Sequence, residues 1–195
     1  SSPARPHTVV VTGGAGFLGT RLIGELLSRD GRHVRITCID RVEASIDDPR
    51  VTSVVGDLAD ASVMQAAVQG DVEIVWHLAA VLSGQSEAEP GEAWRINVGA
   101  TQSLLAACAG LARPPRFVLA STIAVFGGPL PRVVPDDFVL RPQSTYGTTK
   151  AIAELLVLEA TRRGSVDGIV VRVPTVSVRP GLPNSAMSSF VSGMV

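Results

Sequence analysis

Short runs of hydrophobic, mostly β-branched residues alternate along the chain with longer segments in which hydrophobic residues recur every three or four positions. The short runs predict strands over residues 8–12, 34–39, 51–55, 72–77, 116–121 and 168–173. The longer segments predict helices over residues 18–29, 61–68, 92–111 and 145–163. Because the short runs contain few polar positions, we expect almost all of these strands to be buried on both faces.

The alternation of strands and helices predicts an α/β fold in which a parallel sheet is covered by helices on both faces. Residues 1–173 are expected to form this domain, whereas residues 174–195 contain no predicted element. Two polar stretches, 83–90 and 127–143, are too long for simple connections. We expect them to be ordered loops that line a site, and we expect the final segment to cover a substrate.

Composition and net charge narrow the classes of molecule that the chain is expected to bind. The chain has 195 residues and a net charge of -1, so it has no basic field that would attract nucleic acid or an anionic membrane. No signal peptide or membrane span is predicted, and we expect a cytoplasmic location. Cys38 and Cys108 fall in a predicted strand and a predicted helix, without the spacing of metal ligands, so we expect two buried free thiols and no metal site.

A glycine-rich turn joins the first predicted strand to the first predicted helix. Gly13 permits a tight turn, Gly16 lets a phosphate approach the backbone, and Gly19 allows close packing of the helix on the strand. A pyrophosphate would lie at the helix N-terminus, bound by backbone N–H groups around Phe17 and Leu18. The pattern predicts a dinucleotide site, although such turns also occur for structural reasons alone.

Asp40 follows the second predicted strand, at the ~20-residue offset at which a carboxylate binds the adenosine ribose. Its charge would repel a phosphate on that ribose, which favours NAD over NADP. The neighbouring Arg41 could bind such a phosphate, so NADP is the alternative cofactor. Asp40 could also act only as a helix or turn cap.

The ends of the third and fourth predicted strands add further cofactor candidates. Asp57 offers a carboxylate to the adenine amino group and Leu58 an apolar contact to the ring, the alternative for Asp57 being a helix N-cap. His77 is interpreted as a structural histidine. Small residues after it would let the backbone pass close to the cofactor: Leu78, Ala79 and Ala80.

Tyr146 and Lys150 are four residues apart at the start of a predicted helix, so their side chains share one face. An ammonium beside a phenol favours the phenolate, which can then exchange a proton with a substrate hydroxyl. Tyr-x-x-x-Lys is common, and a surface tyrosine with a solvated lysine is the alternative. The preceding strand ends in the hydroxyls of Ser121 and Thr122, at the sheet edge where ligands bind in such folds.

These motifs occur together in one order: the glycine turn, Asp40, Asp57, Asn97-Val98, Ser121-Thr122 with Val125-Phe126-Gly127, and Tyr146-Gly147-Thr148-Thr149-Lys150. The chain thereby resembles the extended short-chain dehydrogenase/reductase family, of the NAD-dependent epimerase/dehydratase type. The resemblance implies a Rossmann-type, doubly wound parallel sheet that binds NAD over residues 1–173. It also implies a smaller C-terminal substrate domain, of which residues 174–195 would be the truncated start.

The resemblance further implies roles for single residues. Thr122 would hydrogen-bond the reacting oxygen, Tyr146 would be the acid/base, and Lys150 would bind the nicotinamide ribose and tune Tyr146. Thr122 stands where the family often has serine and keeps the hydroxyl, while Phe126 stands where tyrosine is frequent. Further cofactor contacts are expected from Asn97, Pro174 and Val176.

Within the family, segments 77–85, 126–131, 172–176 and 179–181 resemble the D-erythronate dehydrogenases. This resemblance implies oxidation of a small sugar acid at the hydroxyl next to its carboxylate. Ser83, Thr122 and Tyr146 would hold substrate hydroxyls, and Arg179 would pair with the carboxylate. The alternative for Arg179 is that it only ties down its own loop.

Two other functions compete with this interpretation. A nucleotide-sugar 4-epimerase or dehydratase would use the same tyrosine, threonine and NAD. A non-catalytic dinucleotide-sensing protein would usually lack Tyr146 or Lys150, and both are present. A small-molecule substrate is expected in either enzyme class, and a homodimer is compatible with the sequence.

Overall fold

The computed structural model describes residues 6–29 and 33–175 and contains one parallel sheet. Its strands are β1 (His7–Thr12), β2 (Val34–Asp40), β3 (Val51–Val55), β4 (Val72–His77), β5 (Arg116–Thr122) and β6 (Asp167–Val173). They lie in the order β3-β2-β1-β4-β5-β6, with every neighbouring pair parallel. The predicted Rossmann-type sheet is confirmed, with strand bounds within one residue of the prediction.

The helices are α1 (Phe17–Arg29), α2 (Ala61–Ala67), α3 (Ser83–Ala88), α4 (Pro90–Ala93), α5 (Thr101–Ala109) and α6 (Thr145–Arg162). A π-helical segment, Trp94–Ala100, joins α4 to α5, and a 3-10 turn, Ile123–Val125, follows β5. Segment 92–111, predicted as one helix, is therefore a composite of three elements. None of the helices within these described ranges is long and apolar enough to cross a membrane.

The prediction of a loop over 83–90 is wrong, because α3 occupies most of it. The helix is polar in sequence, yet Ser86 is fully buried, and its hydroxyl donates to the Val81 carbonyl oxygen at 3.1 Å. A side chain that is satisfied in this way has no hydrophobic signature, so the periodicity did not reveal the helix. Residues 127–143 form no helix or strand, as predicted.

The strand order has a topological switch point between β1 and β4. From β1 the chain proceeds through β2 to β3 at one edge of the sheet, and from β4 it proceeds through β5 to β6 at the other. The registers align the carboxyl ends of the central strands, since Thr12 of β1 lies level with Ile39 of β2 and His77 of β4. β5 continues beyond that level to Thr122, which pairs with Val173 of β6. Residues at these strand ends therefore meet along one edge.

Hydrophobic clusters cover both faces of the sheet. Val10 belongs to the cluster that includes Leu104 of α5, whereas Val9 and Val11 belong to the cluster that includes Ile23 of α1. This alternation is the two-residue period of a strand buried on both faces, and each such side chain contributes about 1.5–3 kcal/mol by burial.

Two strands depart from the expected burial on both faces. β3 and β6, the outer strands of the described sheet, contain no fully buried residue, because each has only one neighbouring strand there. The expected free thiols are confirmed: Cys38 and Cys108 are both buried. Burial raises their pKa values to about 11 and about 12, which keeps both thiols protonated and unreactive at neutral pH.

Two glycines of α1 provide a matched test of the glycine turn. A Cβ at Gly19 would overlap the Gly13 carbonyl oxygen and lie 2.5 Å from the Gly14 Cα, whereas a Cβ at Gly24 would meet nothing within 4 Å. Gly19→Ala should therefore lower the free energy of unfolding by about 1–3 kcal/mol in a urea titration. Gly24→Ala should raise it by about 0.5–1 kcal/mol. Equal stability of the two variants would contradict the close approach.

Candidate active site

The turn after β1 packs directly against the segment after β4. Gly13 has a φ of +72°, and a Cβ there would lie 2.7 Å from the backbone nitrogen of Ala79. The Gly13 N–H donates to the Ile39 carbonyl oxygen at 2.8 Å, which holds the turn over the end of β2. Only glycine satisfies both the backbone angle and the space at this position.

A cleft of about 370 Å³ opens at this edge of the sheet. It is lined by Gly13, Gly16, Phe17, Leu18, Gly19, Asp40, Arg41, Leu58, Leu78, Ala79, Ala80, Val81, Leu82, Gln85 and Ile96. The N-terminus of α1 faces the cleft through Phe17 and Leu18, which is the arrangement that binds a pyrophosphate. The structure thus brings most of the predicted cofactor residues together in one concave surface.

Asp40 lines the cleft and also caps the glycine turn. Its Oδ2 accepts from the Ala15 N–H at 3.0 Å and its Oδ1 from the Arg41 N–H at 2.7 Å. A carboxylate has about four acceptor positions, so these two bonds leave capacity for ribose hydroxyls. The capping function and the predicted ribose-binding function are therefore compatible.

Asp57 lies beside the cleft rather than among its lining residues. Its carboxylate accepts from the Ala59 N–H at 2.9 Å and pairs with Arg95 at 2.7 Å. These two contacts, the backbone hydrogen bond first, lower the pKa of the carboxyl. Asp60, not Asp57, is the N-cap of α2, because its side chain accepts from the Ser62 N–H.

His77 is a neutral link beneath the cleft. Its Nδ1 lies 2.6 Å from the Thr12 hydroxyl and its Nε2 lies 2.9 Å from the Thr101 hydroxyl. Burial, with the Lys150 charge as a smaller cause, lowers its pKa to about 3. The Thr101 hydroxyl already donates to the Asn97 carbonyl oxygen, so it accepts from Nε2–H. Nδ1 therefore accepts from Thr12, and the ring holds strand to helix.

Asn97 extends this hydrogen-bonded chain to α6. Its Oδ1 accepts from the Val81 N–H at 2.7 Å, and its Nδ2 donates to the Val81 carbonyl oxygen at 3.2 Å and to the Thr149 hydroxyl at 3.1 Å. The Thr149 hydroxyl donates in turn to the Tyr146 carbonyl oxygen at 3.0 Å. Because both polar atoms of the Asn97 side chain are used, it acts on the cleft through Val81.

The first turn of α6 packs on the end of β5. Thr122 is 9% exposed, and its hydroxyl oxygen accepts from the Ala124 N–H at 3.1 Å, which caps the 3-10 turn. A Cβ at Gly147 would overlap the Ala124 carbonyl oxygen, so the helix backbone lies directly against this turn. Tyr146, the residue before Gly147, is thereby held at the same sheet edge as Thr122.

Lys150 is buried one helical turn beyond Tyr146. It is 1% exposed, and burial lowers its pKa to about 8, an effect that the carboxylate of Glu154 opposes. Its ammonium form acts on neighbouring groups through a medium of low dielectric constant, where charges interact more strongly than in water. A solvated surface lysine, the alternative interpretation from the sequence, is not what the structure contains.

The buried carboxylate of Glu154 forms an ion pair with the partly exposed Arg172 next to Lys150. Arg172 Nη2 lies 2.9 Å from Glu154 Oε2, and the Ser121 hydroxyl donates to Oε1 of the same carboxylate. Arg172 also donates to the Asp136 carbonyl oxygen at 2.8 Å, and its guanidinium carbon lies 4.9 Å from the ring centroid of Phe126. The pair connects α6 to the loop that follows β5.

The remaining predicted residues lie apart from the cleft lining. Ser83 is the first residue of α3, and Pro174 follows the end of β6 and is exposed. Val176 and Arg179 lie outside the described residues. Of the residues predicted to hold substrate, the structure places Thr122 and Tyr146 near each other at the end of β5.

The sequence of residues 9–195 matches the NAD dependent epimerase/dehydratase family. The chain belongs to this family. The predicted membership of the extended short-chain dehydrogenases is thereby confirmed.

Two curated relatives in this family carry the same name, D-erythronate dehydrogenase. The protein of Cupriavidus necator is 50% identical to the chain and that of Haemophilus influenzae 42% identical, each alignment covering 96% of the chain and 60% of the relative. Among solved structures, a nucleoside-diphosphate-sugar epimerase from Agrobacterium tumefaciens is 35% identical, with a TM-score of 0.87 over 96% of this chain and 58% of that one. The chain spans about 60% of the length of these relatives.

The sequence predicted no role for Gly147 or Arg172, although both lie in segments that carry the family resemblance, and it did not point to Glu154. One signal was available for Glu154, which follows Lys150 by four residues and therefore shares its helix face. No sequence signal was available for Arg172, because its contact with Glu154 of α6 depends on the pairing of β5 with β6.

Two glutamates of α6 provide a matched test of this ion pair. Removing Glu154 leaves the partly exposed Arg172 guanidinium without its carboxylate partner, and losing a hydrogen bond to a charged group costs about 1.5–3 kcal/mol. Glu159 is exposed and pairs with Arg162 at the surface, where a salt bridge contributes about 0–1 kcal/mol. Chemical denaturation should therefore show a large loss of stability for Glu154→Ala and almost none for Glu159→Ala. Similar losses would mean that the Glu154 pair is energetically unimportant.

Proposed function

We propose that this chain is the cofactor-binding part of an NAD-dependent dehydrogenase that oxidises a small sugar acid, such as D-erythronate, at the 2-hydroxyl to the 2-keto acid. The observation that supports the proposal is that the cleft at the glycine turn lies at the same edge of the sheet as Thr122, where the first turn of α6 packs on the end of β5. The names of the two curated relatives support the substrate class.

The cleft fits a dinucleotide. Gly13 leaves no side chain between the turn and the β4 segment, and at Gly16 a Cβ would contact only the Gly13 carbonyl oxygen, so this side of the turn is open. Backbone N–H groups at Phe17 and Leu18 would hold the pyrophosphate, and Asp40 would accept from the ribose hydroxyls. NAD, when bound, supplies the hydride acceptor for the oxidation.

Proton transfer from the substrate would depend on three side chains: Tyr146, Thr122 and Lys150. The Tyr146 phenolate would accept the proton of the substrate hydroxyl, while the Thr122 hydroxyl donates a hydrogen bond to that oxygen and orients it. The Lys150 ammonium favours the phenolate by its charge, and burial increases this effect. The hydrogen-bonded chain through Asn97 and Thr149 keeps the first turn of α6 in place for this transfer.

The alternative function is a nucleotide-sugar 4-epimerase or dehydratase. The similarity to the epimerase from Agrobacterium tumefaciens supports it, and the same tyrosine and threonine would serve it. The two functions differ in the fate of the reduced cofactor, because a dehydrogenase releases NADH whereas an epimerase retains it. The homodimer and the cytoplasmic location expected from the sequence stay predictions.

Tyr146→Phe should abolish turnover while leaving the fold and NAD binding intact. The substitution removes one hydroxyl, and a positioned acid/base typically contributes about 10² to 10⁴ in rate. Initial rates of the full-length protein on its substrate, with calorimetric titration of NAD as the control, measure both parts. A variant within a few-fold of the parent rate would remove Tyr146 from the mechanism.

The substrate class is tested by a screen of the full-length protein against sugar acids and nucleotide sugars. We expect NADH to form with D-erythronate or a similar acid and not with nucleotide sugars. Because a carboxylate in a partly dry pocket requires a cation, Arg179→Ala should raise the KM for the acid. Turnover confined to nucleotide sugars would overturn the substrate, and an unchanged KM would overturn the role of Arg179.

A further inference from the structure

Arg41, the only arginine among the residues that line the described cleft, is already engaged by a carboxylate. Its Nη2 donates a hydrogen bond to Glu92 Oε1, in an ion pair between the segment after β2 and helix α4. Arg41 is half exposed in this pair, so its guanidinium is held at the surface of the cleft. Asp40, the residue before it, carries the carboxylate assigned above to the ribose.

Glu92 is itself held in place by a second arginine. Arg95 donates to Glu92 Oε2 through Nε and to Oε1 through Nη2, each at 2.8 Å, and its Nη1 donates to Asp57 at 2.7 Å. Hydrogen bonds from Arg95 first, then from Arg41, lower the pKa of Glu92, so its carboxylate is charged at neutral pH. The four side chains form an electrically balanced network beside the cleft.

Resting on the proposed binding of NAD, we propose that Glu92 determines cofactor selectivity by holding the Arg41 guanidinium and so withholding it from the 2′-phosphate of NADP. An arginine at this position would otherwise be the natural partner of that phosphate, since guanidinium groups bind phosphate through paired hydrogen bonds. Selectivity against NADP then depends on a residue of α4 as well as on Asp40.

Electrostatics favour this assignment. Glu92 already uses one N–H of the Arg41 guanidinium, so a 2′-phosphate would have to share the remaining donors or displace Glu92. In either case the phosphate would lie near the carboxylates of both Asp40 and Glu92. NAD carries two hydroxyls there, which impose neither cost. Removing the charge of Glu92 would free Arg41 and eliminate one of the two repulsive carboxylates.

The test is calorimetric titration of NAD and NADP into the full-length protein and its Glu92→Gln variant. Glutamine keeps the side-chain shape and an acceptor for Arg95 while it removes the charge. We expect the Kd for NADP to fall about fivefold, which corresponds to the ~1 kcal/mol of a favourable exposed ion pair. The Kd for NAD should change by less than about twofold.

Two further variants separate the proposed pair from a general charge effect. Glu89→Gln removes the same charge three residues earlier in the chain, where the carboxylate does not contact Arg41, and should leave the Kd for NADP unchanged. In Glu92→Gln combined with Arg41→Gln, the gain in NADP affinity should disappear. The inference would be overturned by an unchanged Kd for NADP in Glu92→Gln, or by a gain in NADP affinity that persists without Arg41. In both cases, NAD binding by the parent protein would leave the proposed function standing. A parent protein that binds no NAD would overturn both.

Discussion

The contact between the backbone of Gly13 and the backbone of Ala79 is the constraint on which the site depends. No side chain fits between the turn after β1 and the segment after β4, because a Cβ at Gly13 would lie 2.7 Å from the Ala79 nitrogen. Both residues line the cleft, and the hydrogen bond between Thr12 and His77 holds the two strand ends together next to this approach. Every other element of the site is positioned relative to these two strand ends.

A buried chain of hydrogen bonds connects these strand ends to the first turn of α6, where Tyr146 lies. Thr12, His77, Thr101, Asn97 and Thr149 link the glycine turn to the carbonyl oxygen of Tyr146 without a charged member, since burial keeps His77 neutral. Three charges lie next to it, where the carboxylate of Glu154 opposes the effect of burial on Lys150 and also pairs with Arg172. Buried polar groups that are all satisfied can hold a unique geometry, which acid/base chemistry requires.

The sequence was sufficient for much of the fold and for the cleft. Strand runs and glycine spacing are local signals, so the six strands, the turn at Gly13 and the carboxylate at Asp40 were predictable. Helix α3 was not predicted, because its one buried side chain is the polar Ser86. The exposure of β3 and β6 was also missed, since hydrophobic runs are similar in central and outer strands, and only the strand order tells which is which.

What the sequence by itself determined, therefore, is the set of elements and the residue types presented at the ends of the strands, because both follow from short-range periodicity and backbone sterics. What only the tertiary structure decided is the partner of each charged side chain. Glu154 meets Arg172 because β6 lies beside β5, and Arg41 meets Glu92 because α4 lies beside the end of β2. Arg41 and Glu92 are fifty-one positions apart in the chain. No local pattern connects residues at such separations, since their distance in space is set by the sheet order and by the packing of helices on it.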